Sequence, residues 1–314
     1  MWTGDWWWKM QDLLPEGATI SPVILSTDKT QLTLFSGSKQ AYPVYLTIGN
    51  LPRSIRRKPS QQACILLAYL SAEKITSSNL TESQKRARMH QLFHESMRIV
   101  LKPLIEAGKK GVEMVNGKGD VHRVHPILAC YSADYPEQCL VTGVKSTTCP
   151  KCYADFQDLG HNELNTSLRS GQRTLASLDT ALNHPRRQFH TVCQDSSHHL
   201  SGYVPDPFWS QLPYTNIHMA ITPDILHQLY QGVISHLLSW CQDIIGADEL
   251  DNQVKRFPPS HGIRHFKNGF TILSNVSGPE RKQMAKLLLG IMAGAAPKDV
   301  IRCCRALLDF TFIA

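Results

Sequence analysis

Two strand-like segments of this sequence each end at an aspartate. The first occupies residues 19–34, is rich in Ile, Val, Leu and Thr, and is interrupted once by Ser26-Thr27-Asp28-Lys29. The second, residues 125–131, runs directly into Ala133-Asp134-Tyr135-Pro136-Glu137. Runs of aliphatic and β-branched residues that are bounded by turn residues predict strands. The pattern therefore predicts an acidic residue at the end of each strand.

The segments between these strands complete the order of elements. Residues 42–48 alternate apolar and polar side chains, which predicts a second strand and a hairpin partner for the first. Residues 63–70 are almost unbroken in apolar character, which favours a third strand buried on both faces. Helical spacing then predicts a helix from about Ser83 towards Gly108, which Pro103 is expected to kink or shorten. The residues with this spacing are Met89, Phe93, Met97, Val100 and Leu104.

Three strands, a helix and a fourth strand that ends in an acid are the order of the ribonuclease H fold. In that fold the first and fourth strands lie side by side, which would bring Asp28 and Asp134 together. We therefore predict the α/β class, with a ribonuclease H-like mixed sheet flanked by helices.

After the fourth strand the pattern becomes polar and rich in His and Pro, which indicates a Cys/His-containing insertion. Helical periodicity returns at residues 224–240 and 280–292. The predicted domains are a first part of the core at 1–143, the insertion at 144–221 and a helical remainder at 222–314. The chain stops in an apolar stretch, residues 309–314, so we expect it to be truncated at the C-terminus.

Composition limits the partners and the compartment. The formal net charge of +7 favours a polyanionic partner such as DNA, although each local basic cluster also fits a solvated face. No stretch approaches the roughly 20 apolar residues of a membrane span, and the N-terminus does not resemble a signal peptide. Nine cysteines give no disulfide framework. We expect an intracellular protein with no membrane partner.

Four motifs resemble the Plavaka transposases of fungi, which are relatives of the CACTA cut-and-paste elements. They are STDKTQLT at 26–33, AYPVYLTIGN at 41–50, ADYPEQCL at 133–140 and TPDILHQL at 222–229. The resemblance implies a ribonuclease H-like core with an insertion, three catalytic acids, and divalent metal, Mg²⁺ or Mn²⁺. It also implies DNA partners at the transposon ends and target, a homo-oligomer, and a nuclear location. One departure is the sequence GKGD at 117–120, where a compact Asp-Gly turn is expected before the fourth strand.

Phosphoryl transfer on DNA uses metal ions that are held by carboxylates from separate elements. Asp28 and Asp134 fit as the first two ligands for Mg²⁺ and as catalytic acids. Each also has a structural alternative, since Asp28 can be a turn residue and Asp134 can cap the turn at Tyr135-Pro136.

The third acid has two candidates, and both begin helices. Glu280 lies three residues after Ser277, which is also the spacing of a capping box. Asp224 begins another helix, with His227 three residues on and facing the same side. The resemblance places an acid on the late helix after the insertion, so Glu280 is preferred as catalytic acid and Mg²⁺ ligand, with Asp224 as the alternative.

Cys149 and Cys152 have the Cys-x-x-Cys spacing that supplies half of a tetrahedral structural zinc site. We predict His227 as a third ligand, and the fourth ligand stays open. The alternative is two ordinary reduced cysteines. The other His and Cys candidates are His184, His190, Cys193, His198, His199 and His218.

The sequence thus predicts a transposase catalytic domain that hydrolyses a phosphodiester at a transposon end and transfers the strand to target DNA. Arg53, Arg56 and Arg57 are expected to contact DNA phosphates. Two rival functions remain open, because fold does not separate them. One is an inactive transposase remnant that binds DNA or protein, and the other is a ribonuclease H-like nuclease that cuts without joining strands.

Overall fold

The computed structural model describes residues 3–33, 39–154, 157, 166–195, 198–222 and 224–313. The chain divides into two compact units, Met1–Thr222 and Pro223–Ala314. Leu34, the last residue of the first predicted strand segment, lies outside the described residues.

A six-stranded mixed sheet forms the centre of the first unit, in the order β5-β4-β1-β7-β6, with β8 beside the end of β7. Its strands are β1 (Thr19–Thr27), β4 (Pro43–Ile48), β5 (Ile65–Tyr69), β6 (Val112–Val115), β7 (Val121–Ser132) and β8 (Ile221–Thr222). Two short strands, β2 (Thr30–Gln31) and β3 (Gln40–Ala41), pair with each other. β1 is antiparallel to β4 and parallel to β7. The predicted adjacency of the first and fourth predicted strands is therefore confirmed.

The first unit contains helices in addition to this sheet, and the second unit is built mainly of helices. In the first unit they are α1 (Asp5–Leu13), α2 (Arg53–Arg56), α3 (Glu82–Lys110), α4 (Tyr135–Thr142), α5 (Gly171–Ala181), α6 (Phe189–Cys193) and α7 (Ile217–Ala220). In the second unit a π-helical segment, Ile225–Val233, precedes α8 (Ile234–Ile245), α9 (Ala247–Arg256), α10 (Gly278–Met292) and α11 (Lys298–Ile313). Short 3₁₀ turns occur at Pro59–Gln61 and Arg186–Gln188.

The third predicted strand is present, but its predicted burial on both faces is wrong. β5 is the edge strand beyond β4, and Ile65 and Tyr69 are about three-fifths exposed, at 58% and 64%. An unbroken apolar run fits a central strand by composition alone. Composition does not state what covers the two faces of a strand, and the side chains of β5 remain mostly exposed.

The long helix α3 extends beyond the predicted bounds at both ends. A capping box starts it, in which the Thr81 hydroxyl accepts from the Gln84 N–H and the Gln84 side chain accepts from the Thr81 N–H. Pro103 lies inside α3 and does not shorten it. The helix buries Phe93, Met97 and further residues against the sheet.

The departure at residues 117–120 forms the turn of a β-hairpin that the sequence did not predict. β6 pairs antiparallel with the first half of β7. The Asn116 Oδ1 accepts from the N–H groups of Lys118 and Asp120, so its side chain closes the turn. β7 continues unbroken from Val121 to Ser132, and it is longer than the predicted fourth strand.

The segment predicted as an insertion packs against the main core of the first unit. Phe208, Trp209 and Ile217 are buried in the same cluster as the strands β1 and β7. The indole Nε1 of Trp209 donates to the Val141 carbonyl at 2.8 Å. This polar segment is therefore held by buried aromatic side chains.

In the second unit the helices predicted at 224–240 and 280–292 are confirmed as the π-helical segment with α8, and as α10. Their apolar faces form one core with α9 and α11. In the described part of the chain, no helix has both the length and the apolar character needed to cross a membrane.

Candidate catalytic site

Asp28 and Asp134 follow neighbouring parallel strands at the same edge of the sheet. The last residues that β1 and β7 pair with each other are Ser26 and Ser132, so each aspartate lies two residues beyond this pair. Neighbouring strands are about 4.8 Å apart. The parallel register therefore brings together the two acids that the sequence selected.

Asp28 is exposed and directly follows β1. Its neighbour Lys29 places its ammonium group over the ring of Tyr42, 4.8 Å from the ring centre. Among the described residues no basic side chain forms an ion pair with Asp28. Its carboxylate is thus open to an external cation.

Asp134 is half-buried and caps the start of α4. Its Oδ1 accepts from the Glu137 N–H at 2.9 Å, which confirms the structural alternative foreseen for this residue. The described residues donate no hydrogen bond to Oδ2. Because a carboxylate has two oxygens, the cap leaves Oδ2 available to a ligand.

Glu137 is the acid at this edge to which the sequence reasoning gave no role. The Thr27 hydroxyl donates to its Oε1 at 2.6 Å, and the Tyr42 hydroxyl donates to the same oxygen. The signal in the sequence was the Asp-x-x-Glu spacing at a helix start. Glu137 thereby links the end of β1, one residue before Asp28, to the turn that carries Asp134.

Burial gives Glu137 an unusual protonation equilibrium. It raises the pKa of Glu137, and the negative charge of Asp134 acts in the same direction. The hydrogen bonds from Thr27 and Tyr42 and the charge of Lys29 oppose this effect without cancelling it. Burial, followed by the nearby charge of Glu137, also raises the pKa of Tyr42, so its hydroxyl stays protonated and keeps donating.

The second unit contains the two candidates for a third acid. Glu280 accepts from the Ser277 N–H at 2.9 Å and from the Ser277 hydroxyl at 2.8 Å, and it also pairs with Arg264. The capping role foreseen for Glu280 is therefore confirmed. Its role as a metal ligand stays a prediction.

Asp224 caps the π-helical segment, because its Oδ1 accepts from the Leu226 N–H at 2.9 Å. Its Oδ2 contacts Nδ1 of His227, so the predicted same-side arrangement of these two residues is confirmed. The role of Asp224 as the alternative third acid stays a prediction, as does that of His227 as a zinc ligand.

Cys149 and Cys152 lie in a tight turn whose backbone carbonyls are hydrogen-bonded to Arg169. The Nε of the buried Arg169 donates to the carbonyls of both cysteines, at 2.8 and 2.9 Å. The Lys151 N–H donates to the Cys149 Sγ at 3.4 Å. The pKa of Cys152 is lowered overall. Burial by itself would raise this pKa, but hydrogen bonds to the Cys152 sulfur, led by that from the Ala154 N–H, outweigh the effect of burial. The turn thus favours the thiolate form that a metal requires.

The further ligands of such a site are not assembled in the described part of the chain. There, no group of three or more His, Cys, Asp or Glu side chains is placed to hold a metal ion. His218 uses both ring nitrogens, since Nδ1 donates to the Pro150 carbonyl at 2.7 Å and Nε2 accepts from the Thr174 hydroxyl at 2.8 Å. Burial lowers the pKa of His218 to about 4 and keeps it neutral. His218 is thus a structural support for the cysteine turn.

The predicted DNA-binding arginines belong to the segment that follows β4. Arg53 and Arg57 are exposed, and the Nε of Arg56 donates to the Leu51 carbonyl at 3.0 Å. The antiparallel pairing of β4 with β1 starts this segment at the end of β4 that is distant from Asp28. Their contact with DNA stays a prediction, and other cations lie nearer the sheet-edge acids.

The family comparison covers most of the chain. Residues 1–241 match the family model described as Plavaka transposase. The matched span includes Asp28, Asp134, Glu137 and Asp224, whereas Glu280 lies beyond it. None of the curated proteins matches the chain.

Proposed function

Since the chain belongs to the Plavaka transposase family, we propose that it is the catalytic domain of a DNA transposase. It hydrolyses a phosphodiester at a transposon end, and the freed 3′-hydroxyl then attacks target DNA. The observation that carries this proposal is the parallel register of β1 and β7, which places Asp28 and Asp134 at one edge. The strands β5, β4, β1 and β7, with β8 beside the end of β7, support a ribonuclease H-like sheet. β5, β4 and β1 are successively antiparallel, β7 runs parallel to β1 and β8 runs parallel to β7, while β6 is an additional antiparallel strand on β7.

The donor set at this edge fits Mg²⁺ or Mn²⁺. Two carboxylates from separate strands, one exposed and one with an available oxygen, are the hard ligands that these ions prefer. When two such ions are bound, one would activate the attacking oxygen and the other would stabilise the leaving oxygen. Asp28 and Asp134 would hold them, and the third acid stays a prediction, with Glu280 preferred and Asp224 as the alternative.

The protein's own groups position these carboxylates. Glu137 fixes the end of β1 through the Thr27 hydroxyl and receives the Asp134 cap on its N–H. A shift of either strand end would therefore break a buried hydrogen bond. Glu137 acts as a positioning residue for the pair.

The proposed partners follow from this chemistry. DNA is the substrate, with transposon ends and target as its two forms. Both ends of a transposon must be cut, which supports a homo-oligomer. Chromosomal DNA resides in the nucleus, which supports a nuclear location. Contact of DNA with Arg53, Arg56 and Arg57 is part of this proposal.

We also propose a structural zinc ion at Cys149 and Cys152. The N–H···S contact and the two carbonyls fixed by Arg169 support a turn shaped for metal, and the thiolates fit half of a tetrahedral ligand set. The zinc content of the purified chain tests this proposal, and it should fall in Cys149→Ser. An equal zinc content in both proteins would refute it.

Nicking of supercoiled plasmid DNA in Mg²⁺ or Mn²⁺ tests the catalytic proposal. Asp28→Asn and Asp134→Asn should each lower the nicking rate by about 100-fold or more, because each weakens the binding of the metal that would stabilise the transition state. Asp179→Asn is the matched control, since Asp179 is an exposed aspartate on α5. Equal rates in all four proteins would overturn the assignment.

Two further readouts separate the rival functions. Joining of a 3′-hydroxyl oligonucleotide to the plasmid identifies a transposase, and nicking without joining identifies a nuclease. DNA binding with neither reaction identifies an inactive remnant. A Mn²⁺ titration of the wild type and Asp28→Asn reports the metal site independently of turnover.

A further inference from the structure

A cleft of about 760 Å³ opens beside the acidic edge of the first unit. It lies between α3, the segment that follows β5, and the start of α4, and both Lys29 and Glu137 line it. Its size falls within the range of about 300–1,000 Å³ for small-ligand sites. A second cavity of about 990 Å³ shares Tyr42, Leu70 and Lys74 with it, so the two are adjacent. The cleft thus borders the acidic edge of the sheet at Glu137.

The walls of the cleft carry more positive than negative charge. Lys29, Lys74, Lys85 and Arg86 line it, against two carboxylates. One of these, Glu82, pairs with Lys85 at 2.8 Å, and the other, Glu137, is buried and hydrogen-bonded. Among the described residues, Lys29, Lys74 and Arg86 form no ion pair with a carboxylate. Such an arrangement attracts a phosphate backbone.

The floor of the cleft is apolar and aromatic. Leu92 supplies exposed apolar surface, whereas Phe93, Leu70 and Tyr42 are almost fully buried in the main core and border the cleft with the small part of each side chain that remains accessible. Flat bases pack well against aromatic and apolar side chains in single-stranded DNA sites. Hydroxyl groups on the wall, such as that of Ser96, can bond to base edges.

We propose that this cleft holds an unpaired nucleotide of the DNA strand that is cut at the acidic edge. The proposal rests on the proposed function, because the strand must pass Asp28 and Asp134 to reach the cleft. In a duplex the bases are stacked and paired, so only an unpaired or extruded base can contact the apolar floor. The phosphates on either side then lie against Lys29, Lys74 and Arg86.

Fluorescence anisotropy without divalent metal tests the cleft, because no cutting then occurs. The probes are a blunt duplex and the same duplex with an unpaired 3′ extension. Wild-type protein should bind the extended probe more tightly. Arg86→Glu should weaken that binding by about tenfold and lower its salt dependence by about one phosphate contact.

The matched control is Arg88→Glu, an exposed arginine on the same helix that does not line the cleft. It should change the binding of both probes by the same small factor. Equal effects of the two variants, or equal loss of both probes in Arg86→Glu, would overturn the proposal. Either result would reduce Arg86 to a general surface charge.

A base analogue reports the interior of the cleft directly. 2-Aminopurine in the extension should change its fluorescence on binding wild type, since stacking alters its emission. Ser96→Trp, which fills the cleft, should abolish this change while the blunt duplex still binds. An unchanged signal in a folded Ser96→Trp protein would place the base elsewhere.

The two proposals fail in different ways. If nicking depends on Asp28 but Arg86→Glu and Arg88→Glu bind the probes equally well, the proposed catalytic function stands and the nucleotide site in the cleft is refuted. Preferred binding of the extended probe without any nicking would leave the cleft and remove the chemistry.

Discussion

The acids of the sheet edge and the acids of the second unit differ in whether strand pairing brings them together, although Asp134 also caps a helix, α4. Glu280 and Asp224 are each satisfied within their own helix starts, by N–H groups two or three residues away. Asp28 and Asp134 come from segments far apart in the chain, and the pairing of β1 with β7 brings them together. Helix-start acids are common for structural reasons, whereas convergence across a sheet points to function.

The largest stability effect should come from removing the acid that links the sheet edge. Glu137→Ala takes the acceptor from the buried hydroxyls of Thr27 and Tyr42. The Tyr42 hydroxyl would be left without an acceptor, and the Thr27 hydroxyl would keep only its contact with the Tyr131 hydroxyl. This loss should lower the free energy of unfolding by about 2–3 kcal/mol, measured in urea. Glu113→Ala, an exposed glutamate on β6, should change it by less than about 0.5 kcal/mol. Similar values for the two variants would contradict a linking role.

The same carboxyl should make stability depend on pH in an unusual direction. Because the pKa of Glu137 is raised in the folded state, the folded protein binds this proton more tightly than the unfolded chain does. Its contribution is present below the unfolded pKa and is lost as pH rises through the folded pKa.

Unfolding of the wild type and Glu137→Gln across that window measures the effect. The wild type should lose stability relative to Glu137→Gln as the pH rises above the ordinary glutamate range. A constant difference between the two proteins would show that the buried carboxyl does not titrate as proposed.

A smaller effect should follow from the capping acid of the second unit. Glu280→Ala should lower the free energy of unfolding by about 1 kcal/mol, the usual cost of a lost cap. Glu280→Gln keeps an acceptor for Ser277 and should nearly restore stability. If Glu280 is the third acid, Glu280→Gln still loses nicking, and full nicking would restrict Glu280 to capping.

The smallest effect is expected at the alternative acid. Asp224→Asn retains an oxygen for the Leu226 N–H, so stability should change by less than about 0.5 kcal/mol. Nicking should also persist, since Glu280 is preferred. Loss of nicking without loss of stability would assign the role of third catalytic acid to Asp224.

Local pattern predicted most of the fold correctly. Period-two and helical spacing located β4, α3, α8 and α10, and the acid at each strand end gave Asp28 and Asp134. The burial of β5 was predicted wrongly, because an apolar run does not state what covers the two faces of a strand. The β6–β7 hairpin was missed because β6 is short and exposed, and the part of β7 that pairs with it has no buried residue.

By itself, the sequence predicted most of the order of elements and the position of Asp28 and Asp134 after two strands, since both follow from residues close together along the chain. Tertiary structure alone decided that Glu137 reaches Thr27 and Tyr42 and that α3 and the segment after β5 form a cationic cleft beside it. These contacts join residues up to 110 positions apart. Strand pairing determines which distant residues become neighbours. The spacing of residues along one segment does not indicate which other segment pairs with it.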